Sequence, residues 1–519
     1  MKRTVVGSEV FLWVLSVISA IATITSIILA LVYSSEYNFL FVPIASWFVF
    51  SLGGLILTLD GMAFYFWRRF RKTRQSFTET GQELIDLKKH PLEDEIPAIC
   101  GHEHLDKAEF LAIIQILFRR PPDIKYVHVT PLPGGYGGNT TVLARLQRKH
   151  GEALLPRSFV IKLGDKREMA DEYDKFHNYV LAILPRAPKF FRHATWEDLA
   201  GIAYEFAGLD LDSEIQSFYQ FYKGYATVEV AELIGEIYGD LSRAWYQNGQ
   251  TERANLYHEY SLLSRKQELI IGHVGEVVDE DDPYRVNFTT IEGRLRPNLK
   301  PSFCPESDIP WYDPVAFLRM WPRQNLTVPV YRSIVHGDLH ARNVLVEIGT
   351  GGQKHAWFID FSHTGNGLSG DRTRQAIREG LPIAPDAGHT LRDFCRLEAD
   401  VKFILTRLRD DNDLRLAVGF ERELMGCGLA LYDLSATPSS IETLTEERFR
   451  KAWQVIREIR RRAAVYLTSA DDLRPYYMSL LHATLPMVYY HPAQFENEVC
   501  ERQQKRYTLI SAGMLCSQL

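Results

Sequence analysis

Cysteine is scarce in this sequence, and no two cysteines have the short spacing of a metal site. The six cysteines of the 519-residue chain are Cys100, Cys304, Cys395, Cys427, Cys500 and Cys516. Cysteines scattered in this way are typical of free thiols in a reducing compartment, and they argue against a disulfide framework or a zinc site. The chain also lacks excess positive charge, since its net charge is −6. We therefore expect no specific nucleic-acid partner.

Two long segments near the start of the chain lack charge altogether. Residues 10–33 and 39–59 are uncharged and largely apolar, and about 20 such residues cross a bilayer as a helix. Basic residues precede the first segment and follow the second, whereas the link at 34–37 has none. By the positive-inside rule, this pattern predicts a two-helix transmembrane hairpin at residues 1–67, held in the lipid bilayer of the inner or plasma membrane with both termini cytoplasmic.

A signal peptide is the alternative interpretation of the first apolar segment, because Ala20, Ile21 and Ala22 resemble a small-residue cleavage site. The apolar run continues to Tyr33, however, which is longer than a signal core, and a second apolar segment follows it. We assign residues 68–122 as a basic juxtamembrane and helical linker, whose first residues anchor the topology and contact anionic lipid.

The segment that begins at His336 carries the most specific pattern in the chain. Asp338 is followed after four residues by Asn343, and Asp360 lies within a later apolar run. This order of aspartate, asparagine and aspartate is what phosphoryl transfer requires. Asp338 can orient an acceptor hydroxyl, while Asn343 and Asp360 offer the oxygen ligands that Mg²⁺ prefers.

Local pattern predicts that the metal ligands of this segment meet. Apolar residues at 344–346 and 356–359, with a glycine-rich turn between them, predict a β-hairpin that brings Asn343 and Asp360 together. In one competing interpretation these polar side chains only cap the turns of an ordinary hairpin. In another, residues 337–340 belong to a metallophosphatase, but the upstream Asp-x-His element of that class is missing.

A glycine-rich loop upstream predicts a nucleotide site. Residues 126–147 are typical of strand, turn and strand, and 158–165 of a further strand, so we expect a small antiparallel sheet. The turn contains glycines that would let backbone amides approach phosphates, namely Gly134, Gly135, Gly137 and Gly138. Lys162 lies on the next strand, where its ammonium can contact the α and β phosphates of ATP.

The elements after Lys162 extend this site. A helix that begins near Lys166 presents Glu168 and Glu172, and we expect Glu172 to pair with Lys162. The alternative is that both carboxylates are solvated surface groups. The apolar strand at 201–208 then connects two lobes, and we expect its backbone to receive adenine at two residues, Glu205 and Phe206.

We divide the remaining chain into a small lobe at 123–208 and a larger, mainly helical lobe at 209–519. The larger lobe contains a helical insertion at 209–330, which offers a surface for protein partners. A later helix from Leu391 to Leu408 has apolar residues along one face. We expect Asp393 to cap that helix, and the alternative is that it braces the loop around Asp338.

These residues resemble the aminoglycoside phosphotransferase and choline kinase-like family of the protein-kinase-like fold, over about residues 126–410. The family's catalytic-loop pattern stands here as His336, Gly337, Asp338 and Asn343, and its metal-binding aspartate as Asp360. The resemblance implies an α+β, bilobal fold, with a small antiparallel-sheet N-lobe and a larger mainly helical C-lobe after the transmembrane hairpin. It also implies ATP and Mg²⁺ as cofactors and a catalytic role for the loop residues, His336 included.

The nucleotide side of the resemblance depends on residues 132–140, where Gly135 and Asn139 match the family's loop, and on Lys162, which matches its phosphate-binding lysine. Asp360 is followed by Phe361 and Ser362 rather than by Phe-Gly, and no Ala-Pro-Glu element follows. These departures point away from regulation by an activation loop of the eukaryotic type.

We therefore expect a membrane-anchored, ATP-dependent phosphotransferase that transfers the γ-phosphate of ATP to a hydroxyl acceptor whose identity the sequence does not give. The alternative is a kinase-like module that senses nucleotide or a partner in a membrane signalling or defence system. The lysine, both aspartates and the asparagine that such chemistry needs are all present, and this favours the enzyme.

Overall fold

A computed structural model of the chain describes residues 107–118, 124–131, 140–148, 154–206, 214–261, 266–277, 290–291, 294–295, 314–320, 325–368, 373, 386–432, 445–490, 492–495 and 497–519. The predicted membrane spans at 10–33 and 39–59 lie outside these residues, as does the glycine-rich loop at 134–139. Within the described ranges, every helix is too short or too polar to cross a bilayer.

The first part of the fold is a five-stranded antiparallel sheet with strand order β1-β2-β3-β5-β4. Its strands are β1 (Ile124–Pro131), β2 (Thr140–Arg148), β3 (Leu154–Asp165), β4 (Lys189–Trp196) and β5 (Leu199–Phe206). Alternate residues of β3, Phe159, Ile161 and Leu163, point to one face, where they pack against helix α1 (Lys107–Phe118). The predicted small antiparallel sheet is confirmed.

Helix α2 (Lys166–Lys175) packs on the other face of the sheet and continues as a wider turn from Phe176 to Val180. The carboxylate of Asp165 begins the helix by accepting a hydrogen bond of 2.7 Å from the backbone N–H of Arg167. Met169, Glu172 and Phe176 are buried. The helix therefore carries a carboxylate into the interior beside β3.

Two further sheets follow, both antiparallel and three-stranded. The first has the order β12-β11-β6 and consists of β6 (Glu214–Ser217), β11 (Val344–Ile348) and β12 (Lys354–Phe358). The second has the order β13-β10-β7 and consists of β7 (Gln250–Asn255), β10 (Thr327–Ser333) and β13 (Gly388–His389). A two-residue ribbon joins β8 (Thr290–Ile291) to β9 (Arg294–Leu295).

The prediction of a helical insertion at 209–330 is wrong in part. The segment does contain helices, namely α3 (Phe218–Gly224), α4 (Thr227–Ala244), α5 (Leu256–Glu259), α6 (Gln267–Val277) and α7 (Pro314–Met320). However, its strand β6 pairs with β11, and β7 pairs with β10. Tertiary pairing overrides the weak local pattern of these short strands, so the segment supplies strands to both sheets as well as helices.

After β13, the described part of the chain forms five α-helices: α8 (Leu391–Asp400), α9 (Asp411–Cys427), α10 (Glu447–Ala463), α11 (Arg474–Thr484) and α12 (Glu498–Cys516). All of α8 is buried, together with the wider turn from Val401 to Leu405 that continues it. The helix that we predicted from Leu391 to Leu408 is therefore present from Leu391 to Leu405, and residues 406–408 are not helical. A buried ion pair of 2.8 Å between Glu398 and Arg460 joins α8 to α10. The fold class is α+β, with small antiparallel sheets and many helices.

Candidate functional site

Lys162 joins three separate parts of the chain. It lies near the end of β3, opposite Thr141 of β2 and Ile202 of β5. Its Nζ atom lies 2.6 Å from Oε2 of Glu172 and 2.5 Å from Oδ1 of Asp360. The side chain of Lys162 is only 4% exposed. The carboxylate that pairs with it on α2 is Glu172, as predicted, whereas Glu168 is exposed to solvent.

The charges in this cluster depend on one another. Burial disfavours the ammonium of Lys162, but Asp360 and Glu172 outweigh that effect and raise the pKa of Lys162. Burial also acts against the carboxylate of Asp360, yet Lys162 holds the pKa of that group below its usual value. Burial raises the pKa of Glu172, although Lys162 and the hydrogen bond from the hydroxyl of Tyr204 act to lower it. Lys162 and Asp360 are therefore charged at neutral pH.

The predicted hairpin is present and brings the motif residues together. Strands β11 and β12 pair from Val344 opposite Phe358, and the N–H of Ile359 donates 3.0 Å to the carbonyl of Asn343. Asn343 and Asp360 thus stand at the same end of the hairpin. The side-chain amide of Asn343 donates 2.9 Å to the carbonyl of Asp338, which leaves its oxygen as a ligand for a cation.

Asp360 adopts a backbone conformation that is rare outside glycine. Its φ angle is +65°, in the left-handed region, and non-glycine residues at such angles concentrate at functional sites. The hydroxyl of Ser362 donates 2.7 Å to its Oδ1 atom. This turn aims the carboxylate back toward Lys162.

His336 is fully buried, and its ring lies 5.7 Å from that of Phe361. Its Nε2 atom lies 3.1 Å from the carbonyl of Ile359, the residue before Asp360. The described contacts of this ring are therefore with residues of the same segment, on either side of Asp360. We therefore assign His336, predicted as a catalytic residue, to the positioning of the loop.

The next residue has to be glycine. Gly337 has a φ angle of +85°, and a Cβ atom there would lie 2.5 Å from the carbonyl oxygen of His363 and 2.7 Å from Cα of Gly367. Any larger residue would push the loop away from the residues that follow Asp360. These contacts explain why residue 337 is glycine.

Asp393 braces the loop, so the prediction that it caps its helix is wrong. Thr390 occupies the N-cap position of α8. The two carboxylate oxygens of Asp393 instead accept hydrogen bonds of 2.7 Å from the N–H of His336 and 2.8 Å from the N–H of Gly337. The hydroxyl of Tyr246 donates to the same carboxylate at 2.8 Å. The local sequence could predict only a cap, because the residues that Asp393 contacts are distant in the chain and leave no local signal.

Arg396 is a site residue that the sequence analysis missed. Its Nε atom donates 2.9 Å to Oδ1 of Asp338, and its Nη1 atom donates 3.1 Å to Oδ1 of Asp400. Asp400 in turn accepts a hydrogen bond of 2.8 Å from the N–H of Ala341. Asp393, Arg396 and Asp400 follow one another at the i, i+3 and i+7 spacing of a single helix face, a signal that was present in the sequence.

Asp338 combines charge with access to solvent. Burial acts against its carboxylate, but the positive charges of His340, in acid, and of Arg396 hold its pKa well below the usual range. At neutral pH His340 is uncharged, since burial lowers its pKa to about 4, and Arg396 is then the cation that stabilises the carboxylate. The side chain of Asp338 is 30% exposed, more than that of the other aspartate, Asp360. A permanently ionised and accessible carboxylate is suited to orienting a hydroxyl group.

Helix α2 is also fastened to the residues after Asp360. The ammonium of Lys175 donates 2.5 Å to the carbonyl of Ser362 and 2.6 Å to that of Leu368. The rings of Phe176 and Phe361 lie 5.5 Å apart. The helix that carries Glu172 is therefore held against the segment that carries Asp360, a contact for which the sequence has no signal.

The other predicted nucleotide-binding residues lie around this cluster or outside the described part of the chain. Glu205 and Phe206 end β5, where they pair with Phe159 and Ser158 of β3. Gly134, Gly135, Gly137, Gly138 and Asn139 are outside the described residues, but the strands on either side of them are β1 and β2. Because Thr141, the second residue of β2, lies opposite Lys162, β2 begins beside the lysine.

The oxygen atoms of the site suit a cation that is coordinated jointly by the protein and by the phosphates of a ligand. Among the described residues, no group of three or more histidine, cysteine or acidic side chains is arranged to hold a metal ion alone. Asn343 and Asp360 provide two hard oxygen donors, and Mg²⁺ usually takes its other ligands from phosphates and water. No protein-family model and no characterised protein matches this sequence.

Proposed function

We propose that this chain is an ATP-dependent phosphotransferase of the bilobal protein-kinase-like fold, anchored in a membrane by its N-terminal hairpin. One observation carries the proposal. Lys162, Glu172 and Asp360 come from three separate elements and form one buried ion cluster at the end of β3. Phosphotransferases of the protein-kinase-like fold use this arrangement, in which a lysine fixed by a helix carboxylate positions the nucleotide beside a metal-binding aspartate.

Each residue then has a definite role. Lys162 and the loop at 134–139 position the phosphates of ATP, and Asn343 and Asp360 hold Mg²⁺. When bound, Mg²⁺ neutralises charge on the phosphate oxygens. Asp338 accepts a hydrogen bond from the acceptor hydroxyl and directs its oxygen at the γ-phosphorus. A bond forms from that oxygen to phosphorus as the bond to the leaving ADP breaks.

The low pKa of Asp338 determines how this residue contributes to the reaction. A carboxylate beside Arg396 is a weak base, so its main contribution is orientation of the hydroxyl, and it takes up the hydroxyl proton late in the reaction, as the bond to phosphorus forms. Positioning and electrostatics supply most of the rate in this class of reaction.

Two variants of the full chain test the proposal. We expect Asp338→Ala to reduce transfer of labelled phosphate by about 10²-fold or more while the affinity for ATP stays within about twofold. We expect Asp360→Ala to weaken binding of Mg²⁺-ATP itself. Transfer that persists in Asp338→Ala would contradict this mechanism, and ATP binding without transfer in the wild type would support the sensing module instead.

A further inference from the structure

The hydroxyl of Ser362 binds the same carboxylate oxygen that pairs with Lys162. Oδ1 of Asp360 accepts hydrogen bonds of 2.5 Å from Nζ of Lys162, 2.7 Å from the hydroxyl of Ser362 and 3.4 Å from the N–H of Ser362. A carboxylate oxygen has two lone pairs, so three donors saturate Oδ1. Within the described part of the chain, Oδ1 makes every hydrogen bond of this carboxylate. The other oxygen, Oδ2, is therefore the one that can bind a cation.

Ser362 is itself held in place from two sides. Its carbonyl accepts a hydrogen bond of 2.5 Å from the ammonium of Lys175 at the end of α2. Its hydroxyl also lies 3.2 Å from Nδ1 of His363. An ionised carboxylate only accepts, so the single hydroxyl proton goes to Asp360, and Nδ1 of His363 is the donor of the other bond. These neighbours fix the direction of the hydroxyl toward Asp360.

The bond from Ser362 becomes more important when a nucleotide is bound. In the proposed function Lys162 contacts phosphates, so its ion pair with Asp360 is then shared with the ligand. The bond from Ser362 joins residues two apart in one turn, and it does not depend on Lys162. The terminal torsion of an aspartate side chain is otherwise broad. Ser362 therefore remains as the donor that prevents rotation of the carboxylate.

A carboxylate that is held by one oxygen suits some cations better than others. Ca²⁺ has a flexible coordination shell and often binds both oxygens of a carboxylate, whereas Mg²⁺ requires nearly octahedral geometry. Asp360 offers Oδ2 alone, and Asn343 offers its side-chain oxygen alone, because its amide nitrogen donates 2.9 Å to the carbonyl of Asp338. Two single oxygens, each oriented by a hydrogen bond within the chain, favour Mg²⁺.

We propose that Ser362 is a positioning residue of the metal site, whose hydroxyl makes Asp360 bind Mg²⁺ through Oδ2 alone and so favours Mg²⁺ over Ca²⁺. The inference rests on the proposed function for the binding of Mg²⁺ with a nucleotide, but not for transfer to an acceptor. Groups that orient a metal-binding carboxylate contribute about 10- to 100-fold to metal affinity. Ser362 stands where the protein-kinase pattern has glycine, so that pattern does not supply this hydroxyl.

Binding of a non-hydrolysable ATP analogue to the full chain in detergent tests this role, with Mg²⁺ or Ca²⁺ as the titrated ion. We expect Ser362→Ala to weaken Mg²⁺ binding about tenfold or more, while Ca²⁺ binding stays within about twofold. The affinity for the analogue without metal should not change. Ser362→Thr keeps the hydroxyl and should retain the preference for Mg²⁺. Ser469→Ala removes an exposed hydroxyl that accepts from the N–H of Asp471; it is the matched control and should change nothing.

A second variant separates metal binding from effects on folding. Ser362→Gly also removes the hydroxyl and should show the same loss of Mg²⁺ affinity, so the result does not depend on the stability of one variant. A hydroxyl that only stabilises its turn would affect the melting temperature and leave the ratio of Mg²⁺ to Ca²⁺ affinity unchanged. That result, or equal losses of affinity for the two ions, would overturn the inference.

Phosphate transfer from ATP, measured with the same proteins, tests the proposed function separately. Mg²⁺ binding that depends on Ser362, without transfer by the wild type, would contradict the phosphotransferase and leave the positioning role standing. Transfer by the wild type, together with a Ser362→Ala variant that binds both ions like Ser469→Ala, would retain the phosphotransferase and overturn the positioning role.

Discussion

The Nε atom of Arg396, in the buried helix α8, lies 2.9 Å from Oδ1 of Asp338 and so fixes the position of that carboxylate. We expect Arg396→Gln to lower turnover by about 10- to 100-fold while the affinity for ATP is unchanged, because Asp338 loses its fixed position. The pKa of Asp338 should rise toward its usual value. As the pH is lowered, the variant should therefore lose activity at a higher pH than the wild type. A pH profile of kcat detects this shift.

Arg396→Lys is the conservative partner of that variant and should restore part of the activity, since it keeps the charge but cannot reach Asp338 and Asp400 together. Arg409→Gln serves as the control, because Arg409 is 65% exposed and also pairs with an aspartate. An equal loss of ATP affinity in Arg396→Gln would show that Arg396 acts on the nucleotide instead.

Asp393→Ala should destabilise the protein. The substitution leaves the N–H groups of His336 and Gly337 buried without acceptors, and each such group costs about 1–3 kcal/mol. Chemical denaturation should show a loss of several kcal/mol. Asp472→Ala, which removes an exposed ion pair with Arg474, should cost less than about 1 kcal/mol. Equal effects of the two variants would contradict the brace.

Gly337→Ala and Gly352→Ala form a matched pair. Both glycines have positive φ angles, +85° and +78°, but a Cβ atom at Gly352 would meet nothing within 4 Å. We expect Gly352→Ala to cost about 1 kcal/mol for its backbone conformation alone. Gly337→Ala should cost clearly more and should lower turnover as well. Thermal melting curves of the two variants provide the comparison.

Lys162→Met should weaken ATP binding and also lower stability. It leaves Glu172 and Asp360 without their cation, and breaking a buried pair costs about 3–5 kcal/mol. Adding Glu172→Gln should recover part of the melting temperature but none of the ATP affinity. Recovery of ATP binding in the double variant would contradict a direct contact between Lys162 and phosphate.

Acid should destabilise the fold from about pH 6.5 downward through His389. Burial, with Arg332 and Arg392 nearby, lowers the pKa of His389 to about 3. Between its unfolded pKa of about 6.5 and that value, only the unfolded chain takes up the proton, so stability falls as pH falls, by up to about 1.4 kcal/mol per pH unit. His389→Gln should flatten this slope in denaturation measured at several pH values. An unchanged slope would assign the acid sensitivity to other groups.

Local pattern predicted those parts of the site that lie close together in the chain. The hairpin of β11 and β12 follows from alternating apolar residues around a glycine turn, and the pairing of Lys162 with Glu172 follows from a strand that runs directly into a helix. The ion pair between Arg396 and Asp338 joins residues that are distant in sequence. Helix periodicity predicted the apolar face of α8 but did not predict that its polar face is buried as well, against the loop around Asp338.

Strand β6 shows a different limit. Residues 214–217 are too few to carry a strand pattern, and only their pairing with β11 makes them a strand. The membrane hairpin, the glycine-rich loop and the roles of the nucleotide-binding residues remain predictions, because the first two lie outside the described residues and the third needs a bound nucleotide.

The pairing of β6 with β11 also bears on how the protein folds and how it can be divided. Residues 214–217 of β6 must pair with residues 345–348 of β11, which come much later in the chain. Such non-local pairing slows folding. A fragment that begins after Ser217 would present β11 as an uncovered apolar edge, which is prone to aggregate. Soluble expression therefore requires a fragment that begins before β6, even when only the residues around Asp338 are wanted.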